Sequence, residues 1–159
     1  MRITVHAVGR MKAGPERKLV ERYLDRFARG GPAVGLELAR VSEIPESRAK
    51  SASERRREEA RKLEAVIDGA ALFLLDEHGR NLSSQVFAEK LASLRDAGRR
   101  RLVIAIGGAD GHDEALRSRA ELMIAFGAQT WPHQIVRIML AEQLYRAVTI
   151  LSGHPYHHE

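Results

Sequence analysis

The feature that most limits what this chain can fold into is its alternation of short apolar runs with helix-patterned segments. Ile3–Val8, Val34–Val41, Ala70–Leu75 and Leu102–Ile106 are strand-sized and rich in branched residues; Leu102–Ile106 is the most apolar of them. Between them, residues 16–27, 47–67, 83–97 and 114–120 carry helical spacing, and Ile135–Ile150 forms the clearest amphipathic pattern, with Ile135, Met139, Leu140, Leu144 and Val148 on one face. Leu122–Phe126 fits either a helix end or a strand. Strands separated by helices pair in parallel, because a parallel neighbour is reached only through a crossover. The expectation is an α/β fold, a three-layer sandwich around a parallel sheet, built as one domain over residues 1–159.

Composition removes several functional classes. With no cysteine there is no disulfide, thiolate metal site or cysteine nucleophile. No apolar run approaches the roughly 18 residues of a spanning helix, and the first residues lack the pattern of a signal peptide, so a cytoplasmic protein without a membrane partner is expected. The net charge of +5 is concentrated at one end. Arg2, Arg10, Lys12, Arg17, Lys18, Arg22, Arg26 and Arg29 face only Glu16, Glu21 and Asp25 within residues 1–29. Such an end is either a contact for a phosphate backbone or a solvated helix face. Residues 46–64 mix both signs and read as salt-laced solvent exposure rather than an RNA-binding patch.

Ligands of open α/β sheets bind beyond the carboxyl ends of the strands. Three segments fall there: Asp76–Gly79, Gly107–Gly111 and the stretch before Pro132. The glycines would admit a ligand close to the backbone, yet the loop has neither a Walker sequence nor the dinucleotide fingerprint, and a tight turn without a ligand explains it equally well. Trp131 is either a core residue or a wall for a flat ligand. His133 reads as a satisfied polar residue or a base, and Arg137 and Arg146 as ordinary surface charges. The end, Gly153–Glu159, holds three of the seven histidines; it is a frayed terminus, a metal ligand set or a tail over an active site. No second cluster supports a metal, and none is expected.

In order along the chain, Ala7-Val8-Gly9-Arg10, Leu75-Asp76-Glu77-His78-Gly79-Arg80, Ile106-Gly107-Gly108-Ala109-Asp110-Gly111, Thr130-Trp131-Pro132-His133-Gln134, Ala141-Glu142-Gln143-Leu144-Tyr145-Arg146-Ala147 and Pro155-Tyr156-His157 resemble the RlmH family of SPOUT-class methyltransferases. The resemblance spans the whole chain. It implies a C-terminal trefoil knot, a homodimer and S-adenosyl-L-methionine bound by Leu75, Gly108 and the loop Gly127, Ala128, Gln129, Thr130, Trp131 and Pro132. It implies methylation of N3 of pseudouridine 1915 in helix 69 of 23S rRNA within the assembled ribosome. Catalytic candidates by the same resemblance are Arg146, Tyr156, His157, Glu159 and His133. The chain departs from the family at Ala125, Gly127 and Gln129, where serines and a methionine are frequent, and at His158, where Arg or Lys is usual. A non-catalytic ribosome- or RNA-binding module of the same fold is the competing expectation.

Overall fold

The computed structural model describes residues 1–158. Its strands are β1 (Arg2–Val8), β2 (Glu37–Ile44), β3 (Ala71–Asn81), β4 (Arg101–Ile106) and β5 (Leu122–Ala125). Its helices are α1 (Pro15–Gly30), α2 (Ala52–Ile67), α3 (Ser84–Asp96), α4 (Glu114–Arg119) and α5 (His133–Ser152). Short 3-10 turns cover Gly31–Val34 and Pro155–His158. The five strands form one sheet in the order β2-β1-β4-β3-β5, and every pairing is parallel.

Side chains alternate across the sheet, so each inner strand feeds two cores. Leu102, Ile104 and Ile106 point into the larger core with Phe27, Phe73, Leu91, Leu140 and Leu144, beneath α1, α3 and α5. Val103 and Ala105 point the other way, onto Leu63, Ile67 and Leu116 of α2 and α4. The expected three-layer α/β sandwich is what forms. No helix among the described residues is long and apolar enough to cross a membrane.

Two boundaries and the buried face of the last helix differ from the sequence expectation, and one open alternative is resolved. The second strand starts at Glu37, not Val34, because Pro32 favours a turn and Gly35 takes a left-handed φ of 73° that carries Leu36 N–H back to the Gly31 carbonyl at 2.9 Å. The second helix starts at Ala52, where Ser51 Oγ accepts the Glu54 N–H at 3.1 Å; residues 47–50 precede it without helical structure. Leu122–Ala125 is a strand, since its backbone completes the β3 edge. On α5, Leu140, Leu144 and Val148 are buried, but Ile135 and Met139 are only half-buried, and the buried face also takes in Arg137. An amphipathic pattern cannot separate a core-facing flank from one left open beside it.

The loop expected at Asp76–Gly79 is an excursion within β3. Leu75 and Arg80 both pair with Ile124, so residues 76–79 leave the sheet and return to the same partner. Gly79 makes this crossing possible. A Cβ there would lie 2.5–2.7 Å from backbone atoms of Met123 and Ile124, a distance that no repacking of side chains relieves. Gly79→Ala should lower the unfolding free energy by about 2–3 kcal/mol in urea titration, and an unchanged midpoint would show that the crossing is not tight.

Candidate functional site

Because all strands run one way, their carboxyl ends share an edge of the sheet, and a cleft of about 240 Å³ opens there. Leu75, Asp76 and Glu77 at the turn-out of β3 form one side, and the Gly107–Gly111 loop after β4 forms another. The chain beyond β5 closes it through Phe126, Gly127, Gln129, Thr130 and Trp131, with His133 and Val136 from the start of α5.

The glycine loop is a tight hairpin in which Gly111 N–H donates to the Gly108 carbonyl at 3.0 Å. It has almost no side chains of its own to fix its shape, and other elements supply the restraint. Arg55 of α2 grips Asp110 through both carboxylate oxygens, at 2.6 and 3.1 Å, and donates to the Ala49 carbonyl at 3.0 Å. Glu59 packs behind Gly108, where a Cβ would sit 2.9 Å from its carboxylate. Burial pushes the Glu59 carboxyl up, opposed by the N–H that Ser47 donates to it. Across the cleft, Arg117 donates to Asp76 at 2.9 Å, so the one guanidinium lining the cleft is answered by a buried carboxylate.

Two buried histidines underlie this edge. His112 lies against Gly107 and its Nε2 is 3.0 Å from the Leu75 carbonyl. A carbonyl only accepts, so that nitrogen carries the hydrogen. Burial holds the His112 imidazole below its ordinary value, against the pull of the Leu75 carbonyl. His6 bonds Ser42 Oγ at 3.1 Å through Nδ1, and its Nε2 has no partner. Burial, reinforced by His112, lowers the His6 pKa to about 4. Both rings are therefore neutral near pH 7.

The candidate residues divide between two places. Leu75, Gly108, Gly127, Gln129, Thr130 and Trp131 line the cleft; Ala128 and Pro132 belong to the same loop without facing it. Pro132 instead starts α5, its carbonyl accepting from Ile135 and Val136 at 3.0 and 3.1 Å. Trp131 is 39% exposed, its indole N–H held by the Phe126 carbonyl at 2.8 Å, so it is a wall and not a core residue. Gly127 turns the chain with φ 90°, fixed by Asn81 Oδ1, which accepts its N–H at 2.8 Å. Of the catalytic candidates among the described residues, only His133 is at the cleft.

Arg146, Tyr156 and His157 lie towards the other end of α5. Thirteen residues from His133 to Arg146 span about 20 Å at helical rise. There Glu142 Oε1 accepts from Arg146 Nε at 2.8 Å and from the Tyr156 hydroxyl at 3.1 Å, while the Arg146 guanidinium lies 4.8 Å from the Tyr156 ring centre. Burial and the Glu142 charge push the Tyr156 phenol up, making it a hydrogen-bond donor rather than a base. His157 Nδ1 is 2.6 Å from the His154 carbonyl. The tail is thus folded onto α5 of its own chain as far as His158; Glu159 lies outside the described residues. Among the described residues no group of three or more His, Asp or Glu is placed to hold a metal ion.

The sequence reading missed Arg55, Arg117, His112 and Glu142. The four-residue spacing of Glu142 and Arg146 was a usable signal, whereas nothing local pairs Arg55 with a residue 55 positions away. Arg137, read as a surface charge, is 8% exposed and donates to Glu43 and to the Gly9 carbonyl, fastening α5 to the ends of β1 and β2.

A parallel α/β sheet with a glycine-floored cleft at its carboxyl edge, closed by the segment that enters the last helix, defines a ligand-binding α/β class of protein. A family model described as "Predicted SPOUT methyltransferase" matches residues 1–157. The chain is 67% identical to ribosomal RNA large subunit methyltransferase H of Chelativorans sp. (strain BNC1), over all of this chain and 92% of that one. It is 63% identical to the protein of that name from Mesorhizobium japonicum, over 99% of each. Among solved structures, a probable methylase family protein from Haemophilus influenzae Rd KW20 shares the fold, with a TM-score of 0.55 at 13% identity over 96% of this chain and 69% of that one. The chain belongs to the SPOUT methyltransferases and, within them, to the family of ribosomal RNA large subunit methyltransferase H.

The buried histidines set a pH dependence. His6 has a folded pKa below its unfolded one, so the unfolded chain binds the extra proton first as pH falls. The stability from the neutral ring is complete above about pH 6.5 and is lost towards pH 4, on the order of 3 kcal/mol for a full shift of this size. Urea unfolding of the wild type should weaken across that window, and His6→Gln should flatten the profile; parallel profiles would overturn the assignment.

Proposed function

We propose that the protein is a 23S rRNA methyltransferase that uses S-adenosyl-L-methionine to methylate N3 of pseudouridine 1915 in helix 69 of the assembled ribosome, acting in the cytoplasm as a homodimer. The observation that carries this reading is the cleft itself, in a chain that matches relatives named for methylation of large-subunit RNA over nearly its whole length. The trefoil threading of the C-terminal segment, with residues 1–159 acting as one SPOUT domain, is part of the same reading and is supported by the Gly79 crossing and the Asn81–Gly127 bond.

The residues present fit the cofactor. Gly107, Gly108 and Gly111 line the cleft with backbone alone, and Trp131 offers a flat exposed wall. Leu75, Gly108 and the loop Gly127–Pro132 would hold it. When bound, the cofactor supplies a methyl group on a sulfonium, which leaves behind a neutral thioether. The Arg117–Asp76 pair presents no net positive charge to a sulfonium. On the acceptor side, N3 of pseudouridine must lose its proton as the N–C bond forms and the S–C bond breaks. In this reading His133, which lines the cleft, takes that proton, and Arg146 with the Tyr156 hydroxyl stabilises the charge that develops on the ring.

One chain cannot bring those groups together, because Arg146 and Tyr156 sit about 20 Å along α5 from His133. A second copy can. Ile135, Ile138 and Met139 on α5 are half-buried beside exposed Trp131, an apolar flank next to the cleft. A partner packed antiparallel on α5 would bring its own Arg146, Tyr156, His157 and Glu159 to this cleft.

Isothermal titration with S-adenosyl-L-methionine, followed by mass mapping of ribosomes that lack the modification, tests the activity. Binding and one added methyl at pseudouridine 1915 are expected; ribosome association without transfer would favour the non-catalytic module. A second measurement tests the composite site. A cleft-blocked Thr130→Trp protein and a chain truncated after Ser152, each inactive alone, should recover about a quarter of wild-type activity when mixed and re-equilibrated, from the one intact site of each mixed dimer. No recovery would place cleft and tail function in one chain.

A further inference from the structure

Residues 46–64 read in sequence as salt-laced solvent exposure, but the fold sorts their charges. β1 and β2 end at the same edge as β3 and β4, so the segments that follow them stand beside the cleft. Arg10 and Lys12 follow β1; Arg48 and Lys50 follow β2; Arg56 and Arg57 occupy the first turns of α2. Among the described residues none of these six has a carboxylate partner, and all are exposed except half-buried Arg56. The acidic groups nearby are largely committed: Glu43 to Arg137, Asp110 to Arg55, and Asp113 to the first turn of α4. That leaves Glu46, Glu54, Glu58 and, across the hollow beside them, Glu114 against six cations.

The strip also has shape. Arg56, Arg57 and Ser53 line one side of a polar hollow of about 420 Å³ whose other side is Asp110, His112, Asp113, Glu114 and Arg117; Asp110 and Arg117 also line the cleft. The hollow and the cleft are therefore two sides of one glycine loop. By contrast, the charge surplus of residues 1–29 is not a single patch. Arg2 is at the amino edge of the sheet, and Arg17 and Arg29 on α1 are spent on Glu21 and Asp25.

We infer that the strip from Arg10 and Lys12 through Arg48 and Lys50 to Arg56 and Arg57 is a track for the phosphate backbone of the substrate RNA, entering at the hollow beside the cleft. Guanidinium groups on rigid helix turns recognise phosphate through paired N–H donors, and the two loops add flexible cations along the strand. Backbone contacts of this kind position a nucleic acid without reading its sequence. They would let a small domain hold the RNA segments flanking the target while the cleft holds the base. The inference rests on the reading of the protein as an RNA methyltransferase.

The test uses the full chain and purified assembled ribosomes, with binding measured across a salt series and cofactor affinity measured separately. The fourfold variant Arg48→Gln/Lys50→Gln/Arg56→Gln/Arg57→Gln should bind ribosomes at least tenfold more weakly at low salt. The slope of log affinity against log salt should flatten by about 0.7–0.9 for each phosphate the variant no longer neutralises. Cofactor affinity should not change, and neither should ribosome binding by an Arg29→Gln/Arg100→Gln variant at the opposite edge. The two double variants, 48/50 and 56/57, give the same readout in smaller steps should the fourfold protein fold poorly. An unaltered slope in the folded variants overturns the track. A wild type that binds ribosomes with a steep salt dependence, abolished in the variants, yet transfers no methyl would sink the catalytic reading alone; a wild type that does not bind ribosomes sinks both.

Discussion

Everything at the working edge of this molecule depends on five strands pointing the same way. Parallel pairing puts each connection through a helix, and it also puts the end of every strand at one edge. The cleft, the glycine loop, the turn-out of β3 and the basic loops after β1 and β2 are neighbours for that reason, although they come from residues 9 to 131. The order β2-β1-β4-β3-β5 places β4 between β1 and β3, so the glycine loop is at the centre of the edge with a partner on each side.

A loop of glycines can approach a ligand closely and, for the same reason, cannot hold its own shape. Here rigidity is lent from both layers. Arg55 ties Asp110 to α2, Glu59 and His112 fill the space behind Gly108 and Gly107, and His112 also joins the loop to the end of β3 through the Leu75 carbonyl. Holding two imidazoles and a carboxyl group out of water costs stability. What it secures is a defined cleft floor.

The last helix spans the distance between the cleft and the folded tail. Its first turn brings His133 to the cleft, its middle is fastened by Arg137 to the ends of β1 and β2, and its final turns carry Arg146 and the folded tail. Glu142 joins Arg146 to Tyr156, so those two behave as one unit of charge and hydrogen bonding rather than as independent candidates. A straight helix of this length separates its ends by more than any side chain can reach.

The chain alone determined the layer architecture, the parallel sheet and the glycine loop, because these follow from local periodicity and from what crossovers permit. The ordered motifs also gave the family, and most of the positions named for the cofactor lie on one cleft, since Leu75, Gly108 and residues 127–131 flank strand ends that the pattern marks. Tertiary structure decided the rest. It turned Arg137 from a surface charge into a buried clamp, placed Trp131 as a wall, and let β3 leave and rejoin Ile124 at Gly79. It also paired Arg55 with Asp110 while leaving Arg56 and Arg57 unpaired. The physical reason is that charge pairing and burial depend on which segments meet across the sheet, and a one-dimensional pattern records only which residues are near in the chain.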